Sequence, residues 1–492
     1  MLVVTPMVVQ VNEAINIKIK LLGTVRKIAS EGNWNTKKPN LNGQYNLNHS
    51  RGIQYLDNVL PEWSGILEID GGISLDGPKN VEFDRINQGV FLKDKRPIRT
   101  FKGWKWLEPG FHWIKITDPV SGISAFSNPV LVLEEKPENR IFWGDPHWQT
   151  FFTDGIHCPE ELYSFARDEA FLDFGAISDH SEGLTEQQWK YFNEVTNDYN
   201  EQGKFATLVG FEWTSIKWGH RNVYYRGNEG QILRSDDPKQ DTLTKIWSLL
   251  ENKEAIAIPH HTSNVVMGVD WGHGWNPKYE KAVEIHSVWG NSECHADDGN
   301  PQPIKTSGGE KRGQHVIDAL KLGYRFGFVG GGDIHDGRPG DDLHKYQEKP
   351  EEYRILSSQG FTASFTEYLS RENIYDSIKA HSTYATTRCR IYLDVNLGDV
   401  SMGQELGLAN YKNKINNEKI QLKLSCAAPE EIESAIFVHN GKNEFKITPS
   451  NNPMLIQDNR LIDNLNPGDF CYIRIITKKG NMAWSSPIWI DE

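Results

Sequence analysis

Between residues 140 and 390 the sequence alternates short apolar segments typical of buried strands with amphipathic segments typical of helices. The strand-like segments are residues 172–177, 206–210, 255–258, 283–285 and 326–329. This alternation constrains the fold more than any other feature, because strands that are joined through helices usually pair in parallel. We therefore predict an α/β domain, either a barrel or an open sheet, in which ligands bind beyond the carboxyl ends of the strands.

Two of the intervening segments carry specific helix signals. Pro159 precedes an apolar stripe that includes Leu162 and Ala166, and proline is favoured in the first turn of a helix. Thr185-Glu186-Gln187-Gln188 matches the capping box that starts a helix. Helices are therefore predicted to begin near Pro159 and Thr185.

Histidines and carboxylates follow the strand-like segments in series. They are Asp179 and His180, Glu212 and His220, His260 and His261, Glu284 and His286, and Asp333 and His335. A single case would be an ordinary core or surface histidine, but surface histidines have no reason to follow a strand every time. Since the strand ends meet at one edge of the sheet, we expect these side chains to converge on one site.

The stretch from Trp143 to Thr150 has the pattern of a strand that runs into a loop. The two-residue period of a strand places Asp145, His147 and Gln149 on one face. Asp154 follows seven residues after His147. His147, Gln149 and Asp154 thus join the predicted metal site, although a half-exposed strand also carries a polar residue at every second position.

The same period distinguishes neighbouring donors. Asp333 and His335 share a face and can both reach one centre. His260 and His261 cannot both do so in an extended strand, so we assign His260 as a metal ligand. His261 is left to contact either a ligand residue or the substrate.

Asp179 and His180 divide in the same way, and there we assign His180 as the metal ligand. Glu284 and His286 fit the same pattern of donors near a strand end. They also carry a second interpretation, because a strand-end carboxylate often serves a helix cap or an ion pair. Their roles stay open from the sequence.

The predicted donors are imidazoles and carboxylates without thiolates, which suits zinc, manganese or iron better than calcium. Roughly nine donors are too many for one ion that keeps an open position, so two or three divalent metal ions are predicted. Such ions carry more positive charge than the three ligating carboxylates Asp154, Glu212 and Asp333 offset. The excess favours a small anionic substrate such as a phosphate ester over a neutral amide.

The predicted function is hydrolysis of phosphate mono- or diesters by hydroxide that is bound at a di- or trinuclear metal site. A metal ion lowers the pKa of bound water from about 15.7 to about 7, and a second ion holds the leaving oxygen. Arg221 and Arg338 can each bind a phosphoryl oxygen bidentately, with a surface ion pair as the alternative role. Together with His220 and His261 they form the predicted catalytic set.

Other chemistries lack their sequence signatures. No GxSxG motif occurs, and Cys158 beside His157 has no sign of activation. The glycines before Asp333 do not open a helix with a lysine, so they are not a phosphate-binding loop, and we expect them to let the backbone approach the site closely. The formal net charge of −13 argues against nucleic acid as a partner.

Seven tryptophans lie near the donors in the sequence, namely Trp143, Trp148, Trp213, Trp218, Trp271, Trp275 and Trp289. Aromatic side chains most often belong to the core. So many of them beside a polar site also fit a partly apolar pocket for an aryl, lipid or sugar group. Both interpretations stay open.

The sequences on either side of the α/β domain have a different pattern. Residues 1–138 carry short alternating runs between Gly, Asn and Pro turns, which predicts an N-terminal β-sandwich. Residues 391–492 repeat the alternation and predict a C-terminal β domain that ends in an edge strand. Within the middle domain, residues 139–390, the aperiodic segment 290–312 predicts either a lid, which we favour, or a disordered insertion.

The first residues are apolar but carry no basic leader, and no small-residue cleavage site follows. No run of about 18 apolar residues occurs. We therefore expect a soluble cytoplasmic protein that contacts no membrane, while a chain whose leader had been removed would look the same. The oligomeric state stays open.

The motifs GDPHWQT, TDG, AISDHSE, VGFEWT followed by GH, AIPHH and GGGDIHDG occur in this order over residues 141–390. As a set they resemble the PHP superfamily, the metal-dependent phosphoesterases named for polymerase and histidinol phosphatase domains, and most of all a poorly characterised branch with flanking β domains. The resemblance implies a distorted (β/α)7 TIM-like barrel between β-sandwich-like domains. It also implies a metal set in which Glu212 bridges two ions: His147, Asp154, His180, Glu212, His220, His260, Asp333 and His335.

One position departs from that pattern. The family has His-x-His where this sequence has His147-Trp148-Gln149, so a neutral amide stands where an imidazole is expected. The metal there is expected to be weaker or replaced, and Asp145 is a candidate to compensate. Two other functions therefore stay open: the same site acting on a phosphotriester, sulfate ester or lactone, or a non-catalytic glycan- or protein-binding scaffold with a degenerate barrel.

Overall fold

The structure is a computed structural model, and it describes residues 1–21, 63–83, 98–340, 357–415 and 419–492. Over these residues the chain is a mixed α/β protein in which strands far outnumber helices. No helix in these ranges combines the length and apolarity that a membrane span needs.

The described residues fall into two compact units. The first unit comprises Met1–Ile141, Arg390–Tyr392 and Ala427–Glu430, and the second comprises Phe142–Cys389, Leu393–Cys426 and Glu431–Glu492. The α/β region and most of the C-terminal β region therefore share one unit. The division into domains 1–138, 139–390 and 391–492 stays a prediction.

The first unit is built from short strands, as its alternating pattern predicts. They are β1 (Leu2–Val4), β2 (Val8–Gln10), β3 (Ala14–Lys20), β4 (Gly65–Asp70), β5 (Leu75–Asp76), β6 (Asn80–Phe83), β7 (Ile98–Trp106), β8 (Gly110–His112), β9 (Lys115–Thr117), β10 (Ser124–Phe126) and β11 (Val130–Leu133). They form sheets with the orders β1-β3-β7-β5, β10-β9-β4-β6 and β2-β11-β8. Alternate residues of β3, namely Ile15, Ile17 and Ile19, are buried in the core, which is the period of a half-buried strand.

The second unit begins with the segments that the sequence predicts as alternating strands and helices. Its strands up to residue 387 are β12 (Arg140–Trp148), β13 (Phe174–Ile177), β14 (Ala206–Thr207), β15 (Val209–Trp213), β16 (Arg221–Tyr225), β17 (Ala255–Pro259), β18 (Ala282–Ser287), β19 (Gly290–Asn291), β20 (Gly327–Gly330), β21 (Gly360–Thr366) and β22 (Thr383–Thr387). Its helices there are α1 (Pro159–Asp168), α2 (Glu186–Asp198), α3 (Leu243–Leu249), α4 (Val316–Lys321) and α5 (Arg371–Lys379).

The helix signals are confirmed where they were specific. Proline 159 occupies the first turn of α1, and Leu162 and Ala166 are buried along its inner face. At the start of α2, the Thr185 hydroxyl accepts a hydrogen bond from the Gln188 backbone N–H at 3.2 Å, and the Gln188 side chain accepts one from the Thr185 N–H at 2.8 Å. This reciprocal pair satisfies two backbone donors that a helix end otherwise leaves open.

Parallel pairing is present in only part of the α/β region. Strands β12, β13 and β14 pair in parallel, as do β18 and β20. Strands β15, β16 and β17 instead pair antiparallel, so the prediction of mostly parallel strands is wrong there. The cause between β15 and β16 is a short connection without a helix, which returns the chain directly beside the strand it has just left.

Some of the C-terminal strands continue the main sheet of the second unit, and the others form a sheet of their own. They are β23 (Tyr392–Leu397), β24 (Val400–Ser401), β25 (Glu405–Gly407), β26 (Ile420–Ala427), β27 (Ile432–His439), β28 (Lys442–Ile447), β29 (Leu455–Ile462), β30 (Phe470–Thr477), β31 (Met482–Ser485) and β32 (Ile488–Asp491), with one helix, α6 (Leu408–Ile415). The sheet order β14-β13-β12-β21-β22-β31-β30-β27-β28 joins β27, β28, β30 and β31 to the α/β strands, and β32 and β25 join the same sheet through β30. Strands β23, β24, β26 and β29 form a separate sheet of order β24-β23-β26-β29. The last strand is not an edge strand as predicted, because β32 pairs with both β25 and β30.

The segment of residues 290–312 is folded, so the prediction of a disordered insertion is wrong. Glu293 is fully buried and accepts hydrogen bonds from the Tyr472 hydroxyl at 2.6 Å, Arg474 Nη1 at 2.8 Å and Trp484 Nε1 at 2.8 Å. These three donors lie on the C-terminal strands β30 and β31. The same bonds fix the first part of the segment, and the lid stays a prediction.

Candidate metal centre

The predicted donors lie at or near strand ends of the second unit. His147 is near the end of β12, Glu212 is in β15, and His260 and His261 follow β17 directly. Asp333 comes three residues after β20. The structure brings these side chains together in the interior, where His147 and His260 have an exposed fraction of 0% and Glu212 of 1%.

The ligand atoms form three groups, and the atoms within each group lie within 4.8 Å of one another. The Glu212 group contains Glu212, His220, His260 and His261; the Asp333 group contains His147, His260 and Asp333; the Asp154 group contains Asp154, His180 and His335. His260 belongs to two of them. Donor sets of this size can each hold one divalent ion, so the arrangement fits two or three ions.

Glu212 lies between the groups. Its Oε1 atom is 2.7 Å from His220 Nδ1 and 3.2 Å from His260 Nε2. Its Oε2 atom is 3.4 Å from His180 Nδ1 and 3.5 Å from His147 Nε2. Each carboxylate oxygen therefore faces a different pair of imidazoles, which suits a carboxylate that bridges two ions.

Gln149 contacts this carboxylate through its amide nitrogen. Gln149 Nε2 donates a hydrogen bond to Glu212 Oε2 at 3.0 Å, while Gln149 Oε1 is buried without a hydrogen bond from the described residues. Asp145 belongs to none of the three groups. Its Oδ1 accepts hydrogen bonds from the backbone N–H groups of Gly332 at 2.6 Å and His147 at 3.1 Å, while its Oδ2 is buried without a hydrogen bond from the described residues. The hypothesis that Asp145 compensates for Gln149 stays a prediction.

Two donors have a left-handed backbone that the sequence reasoning did not anticipate. His261 has φ +33° and Asp333 has φ +49°, in the region that non-glycine residues rarely adopt. As a result His260 and His261 both enter the Glu212 group, although an extended strand would separate them. Asp333 and His335 enter different groups for the same reason, although an extended strand would bring them to one centre.

Asp179 fixes the loop that carries Asp154. Its buried carboxylate accepts hydrogen bonds from the Thr150 N–H at 3.1 Å, the Thr150 hydroxyl at 2.8 Å and the Thr153 hydroxyl at 2.7 Å. Burial raises the pKa of Asp179 to about 7 even though these hydrogen bonds lower it. His180 enters the Asp154 group and Asp179 does not, which is the division that the two-residue period predicts.

Glu284 and His286 do not belong to the donor groups. Glu284 Oε2 lies 2.9 Å from His147 Nδ1, so it orients that ring from the side opposite to the Nε2 atom that faces Glu212 and Asp333. His286 Nε2 lies 3.0 Å from the Ser358 carbonyl oxygen. Of the two roles that the sequence left open, Glu284 takes the ion pair with a ligand residue.

Thr214 is a contact that the sequence reasoning missed. Its hydroxyl lies 2.7 Å from His180 Nδ1. The signal available in the sequence was its position two residues after Glu212, on the same face of the chain. A threonine at such a position has many ordinary roles, so the pattern alone did not distinguish it.

The two predicted catalytic arginines have different surroundings. Arg221 is buried, with Nε donating to Glu280 at 2.8 Å and Nη1 donating to the carbonyl oxygens of Trp218 and Gly219. These contacts give Arg221 a structural role, and its catalytic role stays a prediction. The Arg338 guanidinium lies 4.9 Å from the centre of the Phe165 ring, and its catalytic role stays a prediction.

The electrostatics divide the histidines into two kinds. Burial lowers the pKa of His147 and His180, but the nearby carboxylates raise both well above the usual value. Burial lowers the pKa of His220, and burial with His260 and His220 lowers that of His261 further. His220 and His261 therefore stay neutral, with the lone pairs that metal ligation requires.

Several ring nitrogens of the centre are buried without a hydrogen bond from the described residues. They are His147 Nε2, His220 Nε2, His260 Nδ1 and His261 Nδ1. Buried polar atoms rarely lack a partner in folded proteins. Imidazole nitrogens and carboxylates are ligands that zinc, manganese and iron prefer, so these residues fit divalent cations as their missing partners.

The glycines before Asp333 bring the backbone close to side chains of the centre. A β-carbon at Gly331 would lie 2.0 Å from Glu284 Oε2 and 2.9 Å from His147 Cβ. At Gly332 it would lie 2.4 Å from Asp145 Oδ2. The close approach expected from the sequence is present, and it is made to carboxylate and imidazole side chains.

Most of the tryptophans near the donors belong to the core. Trp143, Trp148, Trp213, Trp271 and Trp289 are buried, and Trp218 and Trp275 are partly buried. Trp143, for example, packs edge-on against the rings of Phe361 and Tyr384. Their contacts favour the core interpretation over an apolar substrate pocket.

Comparison with known proteins gives relatives without an assigned activity. A family model described as a protein of unknown function, DUF3604, matches residues 160–298. An uncharacterised protein of Chlamydia pneumoniae is 28% identical over 398 residues, and one of Chlamydia trachomatis serovar D is 29% identical over 399 residues. Each alignment covers 78% of this chain and 62% of the relative, so the chain spans less than two thirds of these relatives' length.

One solved structure is also similar. It is a two-domain protein from Bacteroides vulgatus that is described as containing a predicted PHP-like metal-dependent phosphoesterase. The alignment has 14% identity and a TM-score of 0.33, and it covers 70% of this chain and 88% of that chain. A TM-score this low carries no inference about the activity of this chain.

Proposed function

We propose that this protein is a metal-dependent hydrolase of phosphate mono- or diesters. The observation that carries the proposal is the set of three donor groups that meet around Glu212, with buried imidazole nitrogens that lack hydrogen bonds from the described residues. Nothing in a purely structural core requires so many unpaired ligand atoms in one place. The resemblance of the sequence motifs to the PHP superfamily supports the same reaction class.

We also propose that the strands around the centre form a distorted TIM-like barrel of the (β/α)7 type, between β-sandwich-like domains. Neighbour contacts support the barrel: β12 with β13, β13 with β15, β15 through β16 to β17, β17 with β18, β18 with β20, and β20 with β21. Strand β21 neighbours β12 in the main sheet. This succession of neighbours returns to its starting strand, as a barrel requires.

Each donor group would hold one divalent ion, which we propose to be zinc, manganese or iron. Bound ions of this kind lower the pKa of coordinated water and offset the charge of a phosphoryl group. Glu212 would hold two groups at a fixed spacing, with its position set by the hydrogen bond from Gln149. Glu284 holds the His147 ring in one orientation, and Asp179 holds the loop of Asp154.

The charge of the centre favours an anionic substrate. The three groups contain three carboxylates, those of Glu212, Asp333 and Asp154. Two or three divalent ions exceed the negative charge of these carboxylates, and a phosphate ester would offset the remainder. His220 and His261, whose pKa values are lowered, would be able to accept a proton from the reacting groups if a ring nitrogen is free of metal.

The test is metal analysis of the purified protein combined with hydrolysis of aryl phosphates. We expect at least one equivalent of zinc, manganese or iron, hydrolysis that a chelator abolishes, and rescue by the ion. Glu212→Ala should lose bound metal and about 100-fold or more in rate, because it contacts donors of all three groups. Glu194 is an exposed carboxylate on α2, so Glu194→Ala is the control and should keep both the bound metal and the rate.

Two results would contradict the proposal. The first is less than one equivalent of metal together with hydrolysis that a chelator does not affect. The second is a Glu212→Ala variant with unchanged metal content and rate, which a glycan- or protein-binding scaffold would give. Phosphotriester, sulfate ester and lactone substrates belong in the same screen, because the donor groups accommodate those reactions as well.

A further inference from the structure

A second concave feature of the second unit uses none of the residues of the donor groups. It is a cavity of about 400 Å³, walled by residues after β19, by α4, by the turn between β27 and β28, and by β30. Its charged lining residues include four arginines and lysines and two aspartates: Arg312, Lys321, Lys442, Arg474, Asp298 and Asp318. The lining residues alone therefore carry more positive than negative charge, in a chain whose net charge is −13. Arg312 is paired with Asp297 at 2.8 Å and Arg474 with Glu293 at 2.8 Å, so the two lysines supply the excess.

Both aspartates of the cavity are already engaged. Asp298 Oδ2 accepts a hydrogen bond from Arg312 Nη1 at 3.0 Å. Asp318 Oδ2 accepts one from the His315 backbone N–H at 3.0 Å and lies 3.5 Å from His315 Nδ1. Burial raises the pKa of Asp318, but His315 and, to a smaller extent, Lys321 lower it below the usual value. Lys321 thus acts on this carboxylate from a distance, and no close ion pair joins either aspartate to the lysines of the lining in the described part of the chain.

Arg474 contributes a buried guanidinium, one N–H group of which has no hydrogen-bond partner among the described residues. Its exposed fraction is 2%, and its terminal nitrogens donate to Glu293 Oε1 at 2.8 Å and to Asn443 Oδ1 at 2.9 Å. Its Nε atom is buried and has no hydrogen bond from the described residues. A buried guanidinium donor without a partner is costly unless a ligand supplies the acceptor.

The two lysines belong to the same wall of the cavity. A β-carbon at Gly441 would lie 3.1 Å from Lys321 Cε and 3.4 Å from Lys321 Nζ, so the Lys321 side chain lies against the turn that continues into Lys442. Neither lysine has an ion pair within the described ranges. The carboxylate of the nearby Asp469 already has partners: it accepts a hydrogen bond from Asn440 Nδ2 at 2.6 Å and lies 2.9 Å from His439 Nε2.

We propose that this cavity binds a small, multiply charged oxyanion, a phosphate- or carboxylate-bearing molecule. Concave sites with a few convergent polar groups are the usual form of small-molecule sites. Lysine and arginine together are the side chains that recognise phosphate and carboxylate groups, and an acidic protein does not gather them by chance in one concavity. The site is separate from the proposed metal centre and does not depend on the activity of that centre.

The test is calorimetric titration of the full chain with inorganic pyrophosphate and, separately, with citrate, at constant ionic strength. We expect at least one probe to bind, and the stronger of the two identifies phosphate or carboxylate as the preferred group. Lys321→Ala/Lys442→Ala should weaken that binding about tenfold or more, because two cations of the lining are removed. Lys190→Ala/Lys245→Ala, which removes two lysines on α2 and α3, should leave the affinity unchanged.

The proposed metal centre must be excluded as the site of binding. Glu212→Ala should therefore bind the probe with the same affinity as the wild type. Loss of binding in Glu212→Ala, equal affinity in the wild type and in Lys321→Ala/Lys442→Ala, or no binding of either probe would each overturn the proposal. None of these results depends on whether the protein hydrolyses phosphate esters.

Discussion

Two buried glutamates of the same unit, Glu212 and Glu293, have opposite kinds of surroundings. Glu293 accepts hydrogen bonds from a tyrosine hydroxyl, a tryptophan N–H and the permanent cation of Arg474. Glu212 faces imidazoles that can be neutral, together with the amide of Gln149. Both are buried to the same degree, because the exposed fraction is 0% for Glu293 and 1% for Glu212.

The difference lies in how each negative charge is balanced. A buried carboxylate with three donors, one of which is a fixed cation, is complete, and it stabilises one arrangement of the chain. A buried carboxylate among imidazoles, whose charge depends on protonation, is balanced only when protons or metal ions enter from solution. Glu293 is therefore a structural residue, whereas the surroundings of Glu212 are those of a binding site.

The largest expected effect tests this comparison directly. Glu293→Gln removes the negative charge beside the buried Arg474, and breaking such a pair costs about 3–5 kcal/mol. We expect that loss in the free energy of unfolding, measured by urea denaturation of chelator-treated protein. Glu212→Gln should lower the same free energy by less, because the imidazoles around it can release their protons and a guanidinium cannot. Equal losses in the two variants would contradict the comparison.

The second prediction concerns the backbone beside the centre. Gly331→Ala places a methyl group 2.0 Å from Glu284 Oε2, so Glu284 and His147 must move apart. We expect metal affinity to fall about 10- to 100-fold, the range for a disturbed ligand partner, with an overpacking cost of about 1–3 kcal/mol. Competition with a metal indicator measures the metal affinity, and denaturant unfolding measures the overpacking cost.

Gly227→Ala is the matched control for that variant. A β-carbon at Gly227 would meet no atom within 4 Å, and its backbone needs no positive φ. Its metal affinity should equal that of the wild type. If Gly331→Ala and Gly227→Ala have the same metal affinity, the close approach of the backbone at Gly331 is not needed for metal binding.

The third prediction removes a positioning residue. Asp179→Ala deprives Thr150 and Thr153 of their acceptor, and leaving such donors unsatisfied costs about 1–3 kcal/mol. Because the loop of Asp154 is then less fixed, we expect the ion of the Asp154 group to be lost before the others. Metal equivalents per chain, measured during stepwise chelation, should fall earlier than in the wild type. Asp179→Asn retains one acceptor oxygen and should restore most of the difference; identical chelation curves for all three proteins would refute the role.

The smallest effect concerns a histidine with fixed acidic partners. Burial lowers the pKa of His315, but Asp318 and Glu310 raise it above the usual value of about 6.5. A histidine with a raised folded-state pKa adds stability below about pH 6.5, and that stability is lost as the pH rises through the folded-state pKa. His315→Gln should therefore cost more at pH 6 than at pH 9, by roughly 1 kcal/mol or less. Unfolding free energies at the two pH values measure the difference, and a larger cost at pH 9 would reverse the sign.

Local patterns in the sequence predicted the elements well. The apolar segments at residues 172–177 and 255–258 correspond to β13 and β17, and the capping box at Thr185 starts α2. Such signals reside in a few consecutive residues. Antiparallel pairing of β15 to β17 and the continuation of the main sheet into the C-terminal strands depend on partners that are distant in the chain, which periodicity does not reveal.

Prediction of the site from the sequence has the same limit. The sequence predicted that His147, Glu212 and His335 would gather in one region, since strand ends meet at one edge. The division of His260, His261 and Asp333 among the groups was not predictable, because a left-handed backbone at a non-glycine residue leaves no mark in the sequence. The partnership of Glu284 with His147 and the burial of Glu293 among three donors likewise appear only in three dimensions.

The glycines at 331 and 332 have a consequence for how this centre can vary. A side chain at either position displaces Glu284, His147 or Asp145, so single exchanges there disturb the centre. Changes in metal preference or substrate then cost less across the centre, at Gln149 and around His261. On that side the amide of Gln149 contacts the Glu212 carboxylate directly, and it is the place where we expect the chemistry of this centre to be most open to change.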